Sequence, residues 1–252
     1  MRAEPTMNMV AIVERDDEIG RACDTLISSL RVAEGSGGLR RLLVTSALPK
    51  EGKTTIAACL GLRLAAAGER VLVVDADLRR PMVHRLFGLK NGPGLMDALG
   101  GDVPVAEAIR PVDLSGLTTK RGGGLEVVPS GRSPQNALSL LRSPAVERMM
   151  HDLTASSDVV VIDSPPVLAV SDSLWLVRHV DGVILVLRAG STTARDAERA
   201  KERIVQAGGR VLGSVLNRFD ERVHGPEFHP YGAYYGTGNQ EPNGRGRLAR
   251  KG

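Results

Sequence analysis

Short runs of continuously apolar residues recur along the chain, and they constrain its fold more than any other feature of the sequence. They read LLVTSA (42–47), RVLVVDAD (70–77), DVVVIDSPP (158–166), DGVILVLRA (181–189) and RVLGSVLNR (210–218). A β-strand that is apolar on both of its faces has to be covered on both faces. Because these runs alternate with helical segments, the sequence predicts an α/β fold in which helices cover both faces of a parallel sheet.

Periodicity and composition divide the 252 residues into three parts. The first part carries one apolar stripe at steps of four and three residues, made of Ile19, Cys23, Leu26, Leu30 and Ala33. This spacing predicts an amphipathic helix over residues 17–33, and we assign 1–38 to an N-terminal helical segment. Residues 39–220 form the predicted α/β domain. Glycine, proline, histidine and tyrosine dominate after that, so 221–252 is predicted to be a flexible tail.

Segments outside the apolar runs have weaker patterns. Between residues 79 and 142 they predict two short helices, at 94–99 and 105–109, and a strand near 125–129. Trp175, the one tryptophan of the chain, is predicted to lie in a helix and to pack in the core.

The composition excludes several classes of protein. Hydrophobic residues make up 42% of the chain, which excludes global disorder, and the longest apolar runs fall far short of the ~20 residues of a membrane helix. The formal charge of +4 is small and diffuse, and we expect no nucleic-acid partner. Cys23 and Cys59 lack CxxC spacing, so buried, neutral thiols in a reducing compartment are expected. Without the pattern of a signal peptide, we expect a cytoplasmic protein.

One segment has the sequence of a phosphate-binding loop. TSALPKEGKTT (45–55) lies between a predicted strand and a helix predicted over 53–67, and its Gly52, Lys53 and Thr54 match the G-K-[ST] end of that motif. Ala47 stands where the generic pattern has its first glycine. Backbone N–H groups at a helix start bind phosphate oxygens, while the lysine would reach the β- and γ-phosphates and the threonine would ligate Mg²⁺. An ordinary strand-to-helix turn is the alternative.

Acidic residues end two of the predicted strands. Asp75 and Asp77 follow VLVV, and Asp163 follows VVVI. Ligands of open α/β sheets bind at the carboxyl ends of the strands, where carboxylates beside a phosphate loop are able to hold Mg²⁺. A lone acidic residue there is often only a helix cap, but three beside one phosphate loop favour a nucleotide site.

Together these motifs resemble those of the bacterial tyrosine kinases of capsule and exopolysaccharide systems, which are P-loop proteins unrelated to eukaryotic kinases. The resemblance covers about residues 39–236. The matching stretches are SALPKEGKTT (46–55), VLVVDADLRRP (71–81), VVPSGRSPQNALSLL (127–141), VVVIDSPPVLAVSD (159–172), DGVILVLRAGSTTARDAERA (181–200) and GSVLNR (213–218). It implies a P-loop NTPase-type fold and a protein-tyrosine autokinase that uses ATP and Mg²⁺.

The resemblance also implies the role of individual residues. The catalytic residues would be Lys53, Asp75, Asp77 and Asp163, with Asp75 accepting the proton of the tyrosine hydroxyl. The ATP-binding residues would be Pro49, Glu51, Gly52, Lys53, Thr54, Thr55 and, at the adenine ring, Asn217. The magnesium ligands would be Thr54, Asp77 and Asp163. Arg79 and Arg80 would lie near the transferring phosphoryl group, unless they belong to a solvated loop. For Asn217, a plain strand-end cap is the alternative.

All three tyrosines of the chain lie in one short segment. Tyr231, Tyr234 and Tyr235 fall within HPYGAYYGTG (229–238), among glycines and prolines that cannot build a core. The resemblance makes them the phosphorylation substrate. Tyr231 is fourteen residues beyond Asn217, a reach of at most about 46 Å at ~3.3 Å per residue, which is enough for the chain's own site or a neighbour's.

Assembly is where the sequence departs from the family. The N-terminal helix of the family carries a Glu-x-x-Arg-x-x-Arg pattern that builds a ring of subunits. Here Arg21, Asp24 and Ile27 stand at those places, or Glu18, Arg21 and Asp24 after a shift of three. We therefore expect a weakened homo-oligomer.

The resemblance also implies partners for such a kinase. These are a transmembrane polysaccharide co-polymerase adaptor at the inner membrane and a cognate phosphatase. The apolar stripe of residues 17–33 is a candidate surface for the adaptor, unless it packs on the protein's own sheet.

Two other functions are compatible with the motifs. One is a non-catalytic ATP-binding regulator of polysaccharide chain length. The other is a partition-type ATPase of the Min and Par kind, but those proteins carry an additional lysine where this chain has Leu48, and they lack a terminal tyrosine cluster. Phosphotyrosine formation separates both from a kinase.

Overall fold

A seven-stranded sheet is the centre of the computed structural model, which describes residues 8–34, 38–132 and 137–220. The strands are β1 (Arg41–Ser46), β2 (Arg70–Asp75), β3 (Arg110–Pro111), β4 (Gly124–Val128), β5 (Val159–Asp163), β6 (Gly182–Arg188) and β7 (Val211–Asn217). Their order is β3-β4-β2-β5-β1-β6-β7, and every pair is parallel except β3 with β4. The predicted parallel sheet is confirmed.

Helices cover both faces of this sheet, as predicted. They are α1 (Met9–Arg15), α2 (Asp17–Glu34), α3 (Lys53–Ala66), α4 (Val83–Leu86), α5 (Leu95–Gly100), α6 (Val105–Ala108), α7 (Ala137–Leu141), α8 (Ala145–Ser156), α9 (Asp172–Leu176) and α10 (Ala194–Gln206), with a 3₁₀ turn at Val177–His179. Successive strand residues point to opposite faces. In β2, Val71 and Val73 pack in the core under α3, whereas Leu72 and Val74 pack in the core on the other face. This two-sided burial explains the continuous apolar runs.

The N-terminal helices pack on the protein's own core. On α2, Cys23 and Leu30 are buried and Ile19 and Leu26 are partly buried, all in the core on the α3 face of the sheet. The predicted helix is confirmed, but the interpretation of its stripe as a surface for the adaptor is wrong, since the stripe covers the sheet of the same chain. Cys23 and Cys59 are both free and buried, as the sequence predicts.

The strand order brings the acidic strand ends together. β5 lies between β1 and β2, and the register pairs Asp163 with Asp75 on one side and with Val44 on the other. The segment between β1 and α3, residues 47–52, therefore begins at the same edge of the sheet as both aspartates. Among the described residues, no helix is both long enough and apolar enough to cross a membrane.

Candidate functional site

The turn between β1 and α3 depends on Gly52 for its shape. Gly52 precedes the first residue of α3 and has a φ of 96°, a left-handed conformation that residues with a Cβ rarely adopt. A Cβ at this position would also lie 2.0 Å from Nδ2 of Asn217. The 14-residue helix α3 thus starts with open backbone N–H groups at the carboxyl edge of the sheet, which is the arrangement that binds phosphate.

Lys53 lies among acidic side chains in a buried position. Its Nζ is 2.7 Å from Oδ2 of Asp77 and 3.5 Å from Oδ1 of Asp163, and it donates a hydrogen bond of 3.1 Å to Oγ1 of Thr54. Burial by itself would lower the pKa of Lys53, but the charges of Asp163 and Asp77 together outweigh it and raise the pKa. Lys53 is therefore a permanent cation at the mouth of the loop.

Asp75 is fully buried, and its carboxylate organises the turn that follows β2. Oδ1 accepts a hydrogen bond from the backbone N–H of Asp77 (3.2 Å), and Oδ2 accepts from those of Met82 and Val83 (3.0 Å each). Burial and the neighbouring Asp163 raise the pKa of Asp75 to about 8. The structure thus brings Asp75 beside the other aspartates, but beneath the surface of the site.

Asp163 is a buried carboxylate without a well-formed hydrogen bond. Its exposed fraction is 0%, and neither of its oxygens has a hydrogen-bond partner among the described residues. Burial raises its pKa to about 6, while the ammonium of Lys53 and the hydroxyl of Thr54 oppose that rise. Buried polar atoms are normally paired, so this carboxylate has the properties of a ligand for a cation or its waters.

The donor set suits Mg²⁺ bound together with phosphates. The carboxylates of Asp77 and Asp163 and the hydroxyl of Thr54 all lie around Nζ of Lys53. Within the described ranges, no three or more His, Cys, Asp or Glu side chains form a metal site by themselves. Mg²⁺ is commonly held by only one or two carboxylates and completed by phosphates and water, so this set fits it.

The remaining predicted loop residues differ in their placement. Pro49 is exposed and Thr55 is half-buried, whereas Glu51 is only 1% exposed and points into the protein. Its backbone carbonyl accepts a 2.8 Å hydrogen bond from Nδ2 of Asn217, and its carboxylate accepts one from the hydroxyl of Thr192. Sequence reasoning missed Thr192, because nothing in its local pattern separates it from the neighbouring Ser and Thr.

The two predicted basic residues are exposed, and one of them is paired. Nε of Arg79 lies 3.0 Å from Oδ2 of Asp172, at the start of α9, while the backbone N–H of Arg80 donates to Oδ1 of Asp77 (3.1 Å). Asp172 belongs to a motif that carried the resemblance, but it was not predicted as a site residue. The guanidinium group of Arg79 is therefore directed to α9, whereas Arg80 contacts Asp77 through its backbone.

Trp175 is not a core residue, and that prediction is wrong. It lies on α9 as predicted, but it is only half-buried, and the guanidinium groups of Arg142 and Arg178 lie 4.5 and 5.4 Å from the centre of its ring. Such cation–π contacts explain why a large aromatic side chain is stable at this partly exposed position.

Asp24, a residue of the altered assembly pattern, forms an ion pair within the chain. Asp24, which takes the place of an arginine of the family pattern, accepts a 2.9 Å hydrogen bond from Nε of Arg63 on α3. This ion pair fastens α2 to α3. The predicted phosphoacceptors Tyr231, Tyr234 and Tyr235 lie outside the described residues.

Comparisons with known proteins agree with this geometry. The family model of the CobQ/CobB/MinD/ParA nucleotide binding domain matches residues 43–234. Tyrosine-protein kinase YwqD of Bacillus subtilis is 33% identical over 230 residues, which cover 91% of this chain and 92% of YwqD. The chain belongs to the bacterial tyrosine kinases. Tyrosine-protein kinase etk of Escherichia coli is 31% identical over 85% of this chain, which spans 28% of etk.

Solved structures of the bacterial tyrosine kinases have the same fold. The kinase domain of Escherichia coli tyrosine kinase ETK has a TM-score of 0.76 at 30% identity and covers 87% of this chain and 85% of that domain. The chimerical protein CapA2B2 also reaches 0.76, at 28% identity, over 84% of this chain and 92% of its own. MinD of Pyrococcus horikoshii shares the fold alone. Its TM-score is 0.59 at 24% identity, over 72% of this chain and 71% of its own. The predicted P-loop NTPase-type fold is confirmed.

Proposed function

We propose that the chain is an ATP-dependent protein-tyrosine kinase that phosphorylates Tyr231, Tyr234 and Tyr235 and thereby regulates capsular or exopolysaccharide polymerisation and export. The observation that carries the proposal is the convergence of Lys53, Asp77 and Asp163 at the mouth of a phosphate loop. The membership in a family of tyrosine kinases and the single cluster of tyrosines support it.

ATP and Mg²⁺ are the proposed cofactors. Thr54, Asp77 and Asp163 would hold the cation, because all three lie around the ammonium group of Lys53 and the buried carboxylate of Asp163 accepts no hydrogen bond from the described residues. When bound, Mg²⁺ neutralises charge on the phosphate oxygens. The backbone N–H groups at the start of α3 would hold the phosphates. The predicted contact of Asn217 with adenine is an alternative to the bond that its amide makes with the carbonyl of Glu51.

Phosphoryl transfer asks the protein mainly for positioned charge and an oriented nucleophile. Lys53 is a buried cation and would stabilise the negative charge on the transferring group. Asp75 would take the proton of the tyrosine hydroxyl, whose pKa is ~10. Its own pKa, raised to about 8, makes the ionised form a stronger base than an ordinary carboxylate, and that form predominates only above about pH 8. Arg79 and Arg80 would add positive charge at the rim.

The proposed setting is the cytoplasmic face of the inner membrane. There a transmembrane polysaccharide co-polymerase adaptor would complete the kinase, and a cognate phosphatase would reverse its reaction. Because the apolar stripe of α2 packs on the chain's own core, the adaptor would have to bind another surface. Self-association would be weak, since Asp24 is paired with Arg63 within the chain.

Incubation of the purified protein with ATP and Mg²⁺, followed by phosphopeptide mass spectrometry, tests the proposal. We expect phosphate on the three clustered tyrosines and none on serine or threonine. A non-catalytic regulator would bind ATP without forming phosphotyrosine. A partition-type ATPase would hydrolyse ATP to ADP and inorganic phosphate without forming phosphotyrosine. Either result would overturn the proposed kinase activity.

A further inference from the structure

Glu51 is a buried acidic residue in the middle of a loop that is built to bind anions. It lies two positions before Lys53, yet only 1% of its surface is exposed, and its carboxylate and backbone carbonyl both accept hydrogen bonds from other residues of the protein. A carboxylate free to face the phosphates would repel them, so its burial calls for a reason. The reason lies in what its oxygens bind.

The side chain of Glu51 links the loop to the turn after β6. Oε2 accepts a 2.8 Å hydrogen bond from the backbone N–H of Leu48, which closes the loop upon itself. Oε1 accepts a hydrogen bond from the hydroxyl of Thr192, and that hydroxyl in turn accepts a 2.8 Å bond from the backbone N–H of Arg188. A continuous line of hydrogen bonds thus runs from the end of β6 into the phosphate loop. Hydrogen bonds to a charged acceptor are the stronger kind.

The main chain of Glu51 is held separately, by the end of β7. Nδ2 of Asn217 donates to the Glu51 carbonyl at 2.8 Å, and the backbone carbonyl of Asn217 accepts a 2.9 Å bond from Ala189, in the same turn after β6. Gly52 leaves no room between itself and this amide, since a Cβ would lie 2.0 Å from Nδ2. Two different strands therefore support one residue of the loop.

We propose that Thr192 and Asn217 are positioning residues that hold the phosphate loop in its nucleotide-binding shape by way of Glu51. The proposal rests on the proposed binding of ATP in this loop. Phosphate binding requires several backbone N–H groups to point to one place, and ordering a loop at the moment of binding costs affinity. The two residues remove that cost in advance. Because they act on the loop and not on the reacting atoms, they support all bound states alike.

This role predicts a specific kinetic pattern. Thr192→Val keeps the shape of the side chain and removes its hydroxyl. We expect the dissociation constants of ATP and ADP, measured by titration calorimetry, to rise about tenfold, equal to about 1.4 kcal/mol. KM for ATP should rise by the same factor, while kcat at saturating ATP should change less than about twofold, as expected when uniform binding is lost.

Three variants serve as controls for Thr192→Val. Thr192→Ser keeps the hydroxyl and should restore wild-type affinity, and Ser191→Ala changes the exposed neighbouring residue and should leave binding unchanged. Asn217→Ala tests the second support, if the Thr192 variant does not fold. A melting temperature reported with each variant separates weak binding from loss of fold. Wild-type affinity in Thr192→Val, or failure of Thr192→Ser to restore it, would overturn the role of Thr192.

Inorganic tripolyphosphate distinguishes the proposed role of Asn217 from a contact with adenine. It occupies the loop without presenting a base, and it is measured by competition with labelled ATP. We expect Asn217→Ala to weaken tripolyphosphate and ATP alike. Weakening of ATP alone would assign Asn217 to the base and overturn its role in the loop. The titration and competition measurements do not involve phosphoryl transfer, so their outcome, unlike that of KM and kcat, is independent of whether the chain is a kinase.

Discussion

At the scale of single residues, the ammonium group of Lys53 has two roles. It neutralises charge on the acidic side chains of the site, and it provides a positive charge for phosphate. Lys53 lies within 3.5 Å of Asp77 and Asp163, neither of which has another cation this close in the described part of the chain. The same positive charge is therefore available for phosphate oxygens when they arrive. Lys53 thus stabilises the carboxylates of the site and is placed to stabilise bound phosphate as well.

Replacing Lys53 by Met is expected to lower the rate of tyrosine labelling by about a hundredfold or more, the usual cost of losing a group that stabilises transition-state charge. The measurement is the initial rate of incorporation of labelled phosphate, with folding checked by circular dichroism. Lys50→Met is a matched control, since Lys50 is an exposed lysine of the same loop. Equal rates in the two variants would show that the assigned role is wrong.

Asp75 and Asp163 are expected to differ in stability when each is changed to Asn. Asp75 accepts three backbone hydrogen bonds, whereas Asp163 accepts none. In Asp75→Asn, the NH₂ of the new amide would face at least one of those backbone N–H groups and leave it without an acceptor. Both variants should lose labelling, but Asp75→Asn should unfold more easily, with a penalty of about 1–3 kcal/mol for one unsatisfied buried group. Thermal melts without nucleotide measure this. An Asp163→Asn variant that melts at or below the Asp75→Asn variant would contradict it.

The residues of the site were predictable from sequence only where chain order implied proximity. Lys53, Asp75, Asp77 and Asp163 follow strands of one parallel sheet, so the fold class alone brings them to one edge. Thr192 is 141 positions from Glu51, and nothing in either segment marks the contact. Long-range pairs of polar side chains depend on exact backbone placement, which periodicity does not encode.

At the scale of elements, an ion pair links α2 to α3 through Asp24, and we propose that it takes the place of a contact between subunits. Asp24→Arg would remove the pair with Arg63 and restore an arginine at that place. We expect greater self-association by sedimentation velocity than for Asp24→Asn, which removes the pair without adding the arginine. We also expect both variants to melt at a lower temperature than the wild type. The difference should be small, because an ion pair this exposed contributes only about 0–1 kcal/mol to the free energy of unfolding. Identical sedimentation of the two variants would contradict the prediction.

The elements that were predicted correctly are those long enough to repeat a pattern. The apolar strands and α2 have several residues per face, and α5, α6 and β4 lie where short segments were predicted. The predictions omit α8, although its buried Val146, Met149, Met150 and Leu153 have helical spacing. Helices of four or five residues, such as α4 and α7, complete too few turns to show a period. The two residues of β3 are a strand only because β4 pairs with them.

At the scale of the whole molecule, phosphorylation would reverse the sign of the net charge. Three phosphotyrosines, each carrying about −1.5 to −2, would change the formal +4 to roughly −0.5 to −2, with the change confined to residues 231–235. We expect this to weaken self-association, because a segment docked at an acidic site would be repelled. Sedimentation at matched concentration measures it, with a variant in which all three tyrosines are Phe as the control. Equal association of the phosphorylated and unphosphorylated forms would count against it.

The proposed adaptor gives a further prediction for the whole molecule. A peptide with the sequence of the adaptor's cytoplasmic end should raise the labelling rate and lower the ATP concentration that is needed, if the isolated chain self-associates as weakly as we propose. A scrambled peptide is the control. Full labelling without the peptide, together with no response to it, would show that this dependence does not exist.

The position of Asn217 also fixes where the proposed substrate is attached. The strand that supports the phosphate loop is the last one of the sheet, and Tyr231 follows its end after fourteen residues. At ~3.3 Å per residue, Tyr231 stays within about 46 Å of Asn217 and Tyr235 within about 59 Å. One molecule in a sphere of either radius amounts to a local concentration on the order of millimolar. Diluting the protein does not reduce it. A kinase whose acceptors are tethered so closely does not need to bind tyrosine tightly. A weak binding site would let each of the three acceptors bind and dissociate in succession.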